Sequence, residues 1–169
     1  MNFSLFDNYD WSGVELDFGR KFPNDYKGLM ERFGEFEFSD FIAVSTPRDI
    51  VEYNHRLQGR LSEKPFPGIR LDREKSFLDE AVLGVEFVAF TDVVEWADTQ
   101  SNLSLCWHAV GAPDAWRVLV TDFYDCYYFP WGAEEMLGFL ARSDEGANFA
   151  DSVGWPRLEM TFNPSSEDR

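Results

Sequence analysis

Four short runs decide how this chain folds: Val85-Glu86-Phe87-Val88-Ala89-Phe90, Leu103-Ser104-Leu105-Cys106-Trp107-His108, Trp116-Arg117-Val118-Leu119-Val120-Thr121 and Cys126-Tyr127-Tyr128-Phe129. The first is apolar and rich in β-branched and aromatic side chains, and the second alternates large apolar groups with small polar ones, so both read as strands. The third follows the turn signal Gly111-Ala112-Pro113-Asp114, and Asp122 to Asp125 divides it from the fourth. The links are too short to hold helices, which predicts consecutive antiparallel neighbours rather than crossovers.

On the N-terminal side the period changes from strand to helix. Asp10 is a suitable N-cap for a helix that puts Trp11, Val14 and Phe18 on one face and ends at Gly19. Tyr26, Leu29, Met30 and Phe33 repeat at i, i+3, i+4 and i+7 between Pro23-Asn24 and Gly34, a second amphipathic helix. After the mixed stretch Glu35 to Phe38, Asp40 to Val44 reads as a short strand. Thr46, Pro47 and Asp49 then start a helix whose stripe is Ile50, Asn54, Leu57 and Leu61. Lys64-Pro65-Phe66-Pro67-Gly68 breaks it, and Asp72 to Leu83 is assigned a further helix with Phe77, Leu78, Ala81 and Val82 inward.

On the C-terminal side, Pro130-Trp131-Gly132 turns the chain into a helix over Ala133 to Arg142. Ala133, Met136, Leu137 and Leu140 share a face, with Glu134 and Glu135 at its positive end and Arg142 at its negative end. Ser143 to Gly154 is polar, and Arg157 to Phe162 alternates like an edge strand. The expected fold is α+β, with a central, mainly antiparallel sheet and flanking helices, in a single domain over residues 1–162 and a loose tail over 163–169. At 169 residues the chain can bury about 70 % of its unfolded surface, and 44 % apolar and 17 % aromatic content is far above that of a disordered chain.

A net charge of −16 repels phosphate backbones and anionic lipid, so neither nucleic acid nor membrane is an expected partner. No apolar run approaches the roughly 18 residues that a membrane helix needs. The N-terminus lacks the basic and apolar regions of a leader, so a reducing, cytoplasmic setting is expected, although Cys106 and Cys126, read as lying on neighbouring strands, would be able to pair if oxidised.

Three chemical readings compete with a pure binding role. Cys106, His108 and Cys126 suggest zinc, but without a C-x-x-C pair, and with His55 the only other histidine, no metal or cofactor is assigned. A Cys–His dyad has no supporting motif, and no G-x-S-x-G elbow is present, so no catalytic residue is assigned. The pairs Asp92 with Glu95 and Asp122 with Asp125 resemble glycosidase carboxylates, yet in so acidic a chain such pairs arise without purpose. Trp107, Trp116, Tyr127, Tyr128 and Trp131 would make a sugar or peptide platform if exposed; as strand aromatics they are expected mainly in the core.

Taken in order, several of these features resemble the SUKH superfamily (Smi/Knr-like). They are the Trp11 helix, Phe22-Pro23-Asn24-Asp25-Tyr26 opening a helix that closes on Gly34, and Phe41-Ile42 in a strand. Leu105-Cys106-Trp107, then Pro113-Asp114-Ala115-Trp116-Arg117-Val118-Leu119-Val120, a short aromatic strand and a helix bearing Gly138-Phe139-Leu140 complete the series. The likeness covers Trp11 to Arg142. The chain departs from it at Thr99-Gln100-Ser101-Asn102, where many relatives carry a glycine-bearing turn, and after Ser143. The resemblance implies a sheet flanked by helices and no shared catalytic residues. It also implies the role of an immunity protein that neutralises a cognate polymorphic toxin, often a nuclease, by occluding its catalytic domain. Fungal members of the superfamily, regulators of cell-wall synthesis, give the alternative of a regulatory scaffold.

Between Lys75 and Arg142 the only basic residue is Arg117. Such a distribution serves either plain solvation or a basic protein partner. On the second reading the contacts are Asp92, Glu95, Asp98, Asp114, Asp122 and Asp125, and the protein is a monomer or a weak homodimer formed through an edge strand.

Overall fold

A computed structural model describes residues 9–164. Among them the chain forms α1 (Trp11–Phe18), α2 (Asn24–Phe33), β1 (Phe36–Phe38), β2 (Ile42–Val44), α3 (Pro47–Ser62), β3 (Ile69–Leu71), β4 (Phe87–Val88) and β5 (Val93–Thr99). There follow β6 (Ser104–His108), β7 (Arg117–Thr121), β8 (Asp125–Phe129), α4 (Ala133–Arg142), α5 (Asp144–Ser152) and β9 (Phe162–Pro164). The fold is α+β: five helices and one open sheet of nine strands in the order β4-β3-β8-β7-β6-β5-β2-β1-β9. Every pairing is antiparallel except β3 with β8.

The helix starts follow from local chemistry. Gly13 N donates to the Asp10 carboxylate at 3.0 Å, Asp49 N donates to Thr46 Oγ1 at 3.2 Å, and Pro47 occupies the first turn of α3. Asp114 reaches across from the β6–β7 connection to accept from Asn24 N at 2.7 Å and Asn24 Nδ2 at 2.9 Å, supplying α2 with the cap that Pro23 cannot.

Alternation along β6, β7 and β8 divides the sheet residues between two cores. Leu105, Trp107, Val118, Val120 and Phe129 face the larger one, closed by Tyr26, Leu29 and Met30 of α2, Met136, Leu137 and Leu140 of α4, and Phe149 of α5. Cys106, Leu119, Cys126 and Tyr128 face the smaller one with Ile69, Val82 and Val88. Trp96 and Trp107 are fully buried and stack at 5.7 Å. Trp107, Trp116 and Tyr128 are therefore core residues, while Tyr127 and Trp131 are only partly covered.

Several expectations are corrected. The helix expected over Asp72 to Leu83 does not form; only Glu80–Val82 makes a 3-10 turn. The Asp72 carboxylate accepts from Glu74 N and Lys75 N, Phe77 N donates to Tyr128 O, and Tyr128 N donates to Ser76 Oγ, so side chains and the sheet take the backbone groups that a helix would use. Phe77 and Val82 turn to opposite cores, and Ala81 is exposed. The strand expected over Val85 to Phe90 shrinks to Phe87–Val88 and lies at the far edge against β3. The neighbour of β6 is instead Val93–Thr99, whose burial on both faces leaves no alternation to read.

The polar stretch after Ser143 is a helix, α5. It crosses α4 so closely that a Cβ on Gly146 would lie 1.9 Å from the Phe139 carbonyl oxygen. The edge strand expected over Arg157 to Phe162 is displaced to Phe162–Pro164, where stacking of Phe162 on Phe33 at 4.1 Å fixes it beside β1. Asn163 and Pro164, expected in a loose tail, belong to that strand; the rest of the tail lies outside the described residues. Cys106 and Cys126 are not on adjacent strands, because β7 lies between β6 and β8. Two strand spacings, roughly 9–10 Å, exceed the roughly 7 Å across which a disulfide can close.

Candidate functional site

A β-bulge in β5 builds the most distinctive polar site. Glu95 pairs with Cys106 and Ala97 with Leu105, so one extra residue is inserted between them. In a regular strand Glu95 and Asp98, three apart, would point to opposite faces; the inserted residue puts them on the same one. Trp96 and Ala97 both turn into the larger core as a result.

α3 supplies the opposite wall. Ser45 N donates to Trp96 O as the chain leaves β2, and farther along the helix Gln58 Nε2 donates to Phe90 O at 2.8 Å and Val93 O at 3.1 Å. These anchors hold α3 along β5. Its polar residues Asp49, Glu52, Tyr53 and Arg56, spaced i, i+3, i+4 and i+7, line a cavity of about 290 Å³ with Glu95, Asp98 and Ser104. The cavity thus brings four carboxylates to one arginine.

Glu95 retains only 9 % exposure, and its Oε2 is buried without a hydrogen-bond partner. Burial pushes its carboxyl up and the charge of Asp98 adds to the rise; hydrogen bonds from Ser104 and Tyr53 and the charge of Arg60 oppose it. The result is about 7, so the group changes charge near neutrality. The guanidinium groups of Arg56 and Arg60 lie 5.7 and 5.5 Å from the centroid of the Tyr53 ring. Chemically, the arrangement is an anionic cavity whose deepest carboxyl exchanges a proton in the physiological range.

Of the six acidic residues singled out in the sequence, only Glu95 and Asp98 meet here. Asp122 and Asp125 sit at the β7–β8 turn, where Asp122 accepts from Tyr124 N and Asp125 N, and Asp125 pairs with Arg70 at 2.6 Å. Asp92 and Asp114 lie toward the opposite end of the sheet, Asp114 occupied as the cap of α2. Asp49, Glu52, Tyr53 and Arg56 were not singled out, although the same helical period that marks the buried stripe of α3 marks this polar one.

Cys106 and Cys126 are free and buried, and burial raises both thiols, that of Cys126 to about 12. His108 is partly buried, which depresses its imidazole against the pull of Asp92. Among the described residues no group of three or more histidine, cysteine or carboxylate side chains is placed to hold a metal ion, and no helix is long and apolar enough to cross a membrane. Comparison finds no family model, no curated protein and no solved structure that matches this chain.

Proposed function

We propose that this is a cytoplasmic binding protein of SUKH-like fold, an immunity protein that neutralises a basic, nuclease-type toxin by covering its catalytic domain, with no reaction of its own. The observation that carries this reading is the distribution of charge. Ser76 to Ala141 hold eleven carboxylates and one basic residue, so ten of the sixteen net negative charges fall in this stretch. The lone cation, Arg117, faces Asp79 at 3.8 Å. So large an excess of negative charge speeds encounter with a cationic partner and rejects acidic ones.

The dispersal of Asp92, Asp114, Asp122 and Asp125 divides the contribution of the acids. They supply a long-range field, while close contact belongs to the cavity between α3 and β5. The resemblance implies a sheet flanked by helices, and an α+β arrangement of five helices and one nine-stranded sheet supports that reading.

Co-expression with a basic, nuclease-type toxin domain encoded by a neighbouring gene tests the proposal. Protection of the cells and a complex that weakens with added salt are expected; a toxin that neither binds this protein nor is neutralised by it overturns the reading.

A further inference from the structure

We propose that the cavity between α3 and β5 is a receptor for a single cationic side chain, lysine or arginine, presented by the protein partner. This rests on the reading above only in taking the partner to be basic; the recognition chemistry stands on the cavity itself. Asp49, Glu52, Glu95 and Asp98 surround a space of about 290 Å³, enough for one long side chain. Among the described residues none of the four is ion-paired. Glu95, more than nine-tenths buried, ends in an oxygen that accepts no hydrogen bond.

A buried acceptor without a donor is costly to the fold, and a cation seated beside it would remove that cost through a charge-assisted hydrogen bond. An anion is disfavoured by four carboxylates against Arg56. A divalent metal is disfavoured because the carboxylates lie around the wall and do not converge.

The groups that face Glu95 set how the site responds to pH. Asp98 on its own strand and burial hold the proton on; Tyr53 and Arg60 from α3 and Ser104 from β6 draw it off. Cys106, opposite in the register, is buried and keeps its proton, so it contributes no charge at neutrality. A cation that needs Glu95 ionised therefore binds about tenfold more weakly at pH 6 than at pH 8, given a carboxyl near 7.

The test uses the full chain, ¹⁵N-labelled, titrated with blocked pentapeptides Gly-Gly-X-Gly-Gly in which X is arginine, lysine or norleucine, and separately with agmatine, cadaverine and Mg²⁺. Saturable shifts of the Tyr53, Asp98 and Ser104 amides with the arginine or lysine peptide are expected. They should be absent with norleucine and Mg²⁺, weaken about tenfold from pH 8 to pH 6, and weaken at least fivefold in Glu95→Gln, with Asp151→Asn on the exposed side of α5 unchanged. Glu95→Gln keeps the side-chain shape, and its melting curve reports that it folds.

Absence of shifts with both cationic peptides, or equal binding by Glu95→Gln, overturns the proposal. Free diamines binding more tightly than the peptides would overturn the assignment to a partner side chain. Toxin binding separates the two readings: if Glu95→Gln binds the toxin as tightly as the unaltered chain, the cavity proposal falls and the immunity reading stands. If the unaltered chain does not bind toxin, the immunity reading falls and the peptide titration alone decides the cavity.

Discussion

Replacing Glu95 by glutamine should stabilise the protein, and by an amount that grows with pH. The carboxyl is raised from an ordinary 4.5 to about 7 in the folded chain. Between those values the folded state holds a proton that the unfolded state has released, so stability falls as pH rises. The penalty is absent below about pH 4.5 and complete above about pH 7, where 2.5 units correspond to about 3 kcal/mol. Glutamine keeps the volume and the neutral form, so the variant lacks this slope. The carboxylates away from this cavity are common to both proteins, which makes the difference between them the clean quantity. Urea unfolding at pH 5, 6, 7 and 8, kept above the sequence pI of 4.3, should show the variant's advantage widening by about 2.5 kcal/mol across the series. A gap independent of pH, or a variant less stable than the unaltered chain at pH 8, would refute the picture of a buried carboxyl held off its ordinary titration.

The remaining expectations concern the core and the thiols. Trp107→Ala removes a fully buried ring stacked on Trp96 and should cost about 3–5 kcal/mol in urea unfolding. Gly146→Ala places a methyl 1.9 Å from the Phe139 carbonyl, so α4 and α5 must separate; a loss of about 1–3 kcal/mol is expected in the same assay, and an unchanged midpoint would count against the close crossing. Cys106 and Cys126, buried and with raised thiols, should be inert to Ellman's reagent in the native protein and react fully in denaturant, with no internal disulfide detected by mass after mild oxidation.

How far the fold was legible depends on whether local signals agreed with tertiary ones. α1 and α3 carry side-chain caps, α1 to α4 carry 3.6-residue stripes, and β6, β7 and β8 carry alternation and turn residues, so their positions can be read from the residues. The segment from Asp72 to Leu83 has a helical stripe but also Asp72, Ser76 and Asp79, whose side chains capture backbone groups before a helix can. Val93–Thr99 was hidden for the opposite reason: burial on both faces leaves it no alternation, and the bulge breaks its register. Glu95 and Asp98 were legible as acids and illegible as neighbours, since only the inserted residue gives them a common face.

That same bulge ties stability to recognition. A strand in regular register would send Asp98 to the far face, leaving Glu95 beneath α3 with less charge to raise its carboxyl and one acid fewer for a ligand to meet. With the bulge, the free chain carries a carboxyl that is costly when ionised and a cavity that favours any cation able to stabilise it. Binding and ionisation then become one equilibrium: a cation in the cavity lowers the Glu95 carboxyl, and by reciprocity raising the pH tightens the complex. The destabilisation expected in the free protein is the reserve that a partner's positive side chain would recover, so Glu95→Gln should gain stability and lose affinity together. Polar groups that weaken a fold and strengthen a contact in this way mark binding sites more reliably than exposed charge, because solvation alone accounts for charge on the surface but not for an unpartnered carboxylate oxygen beneath it.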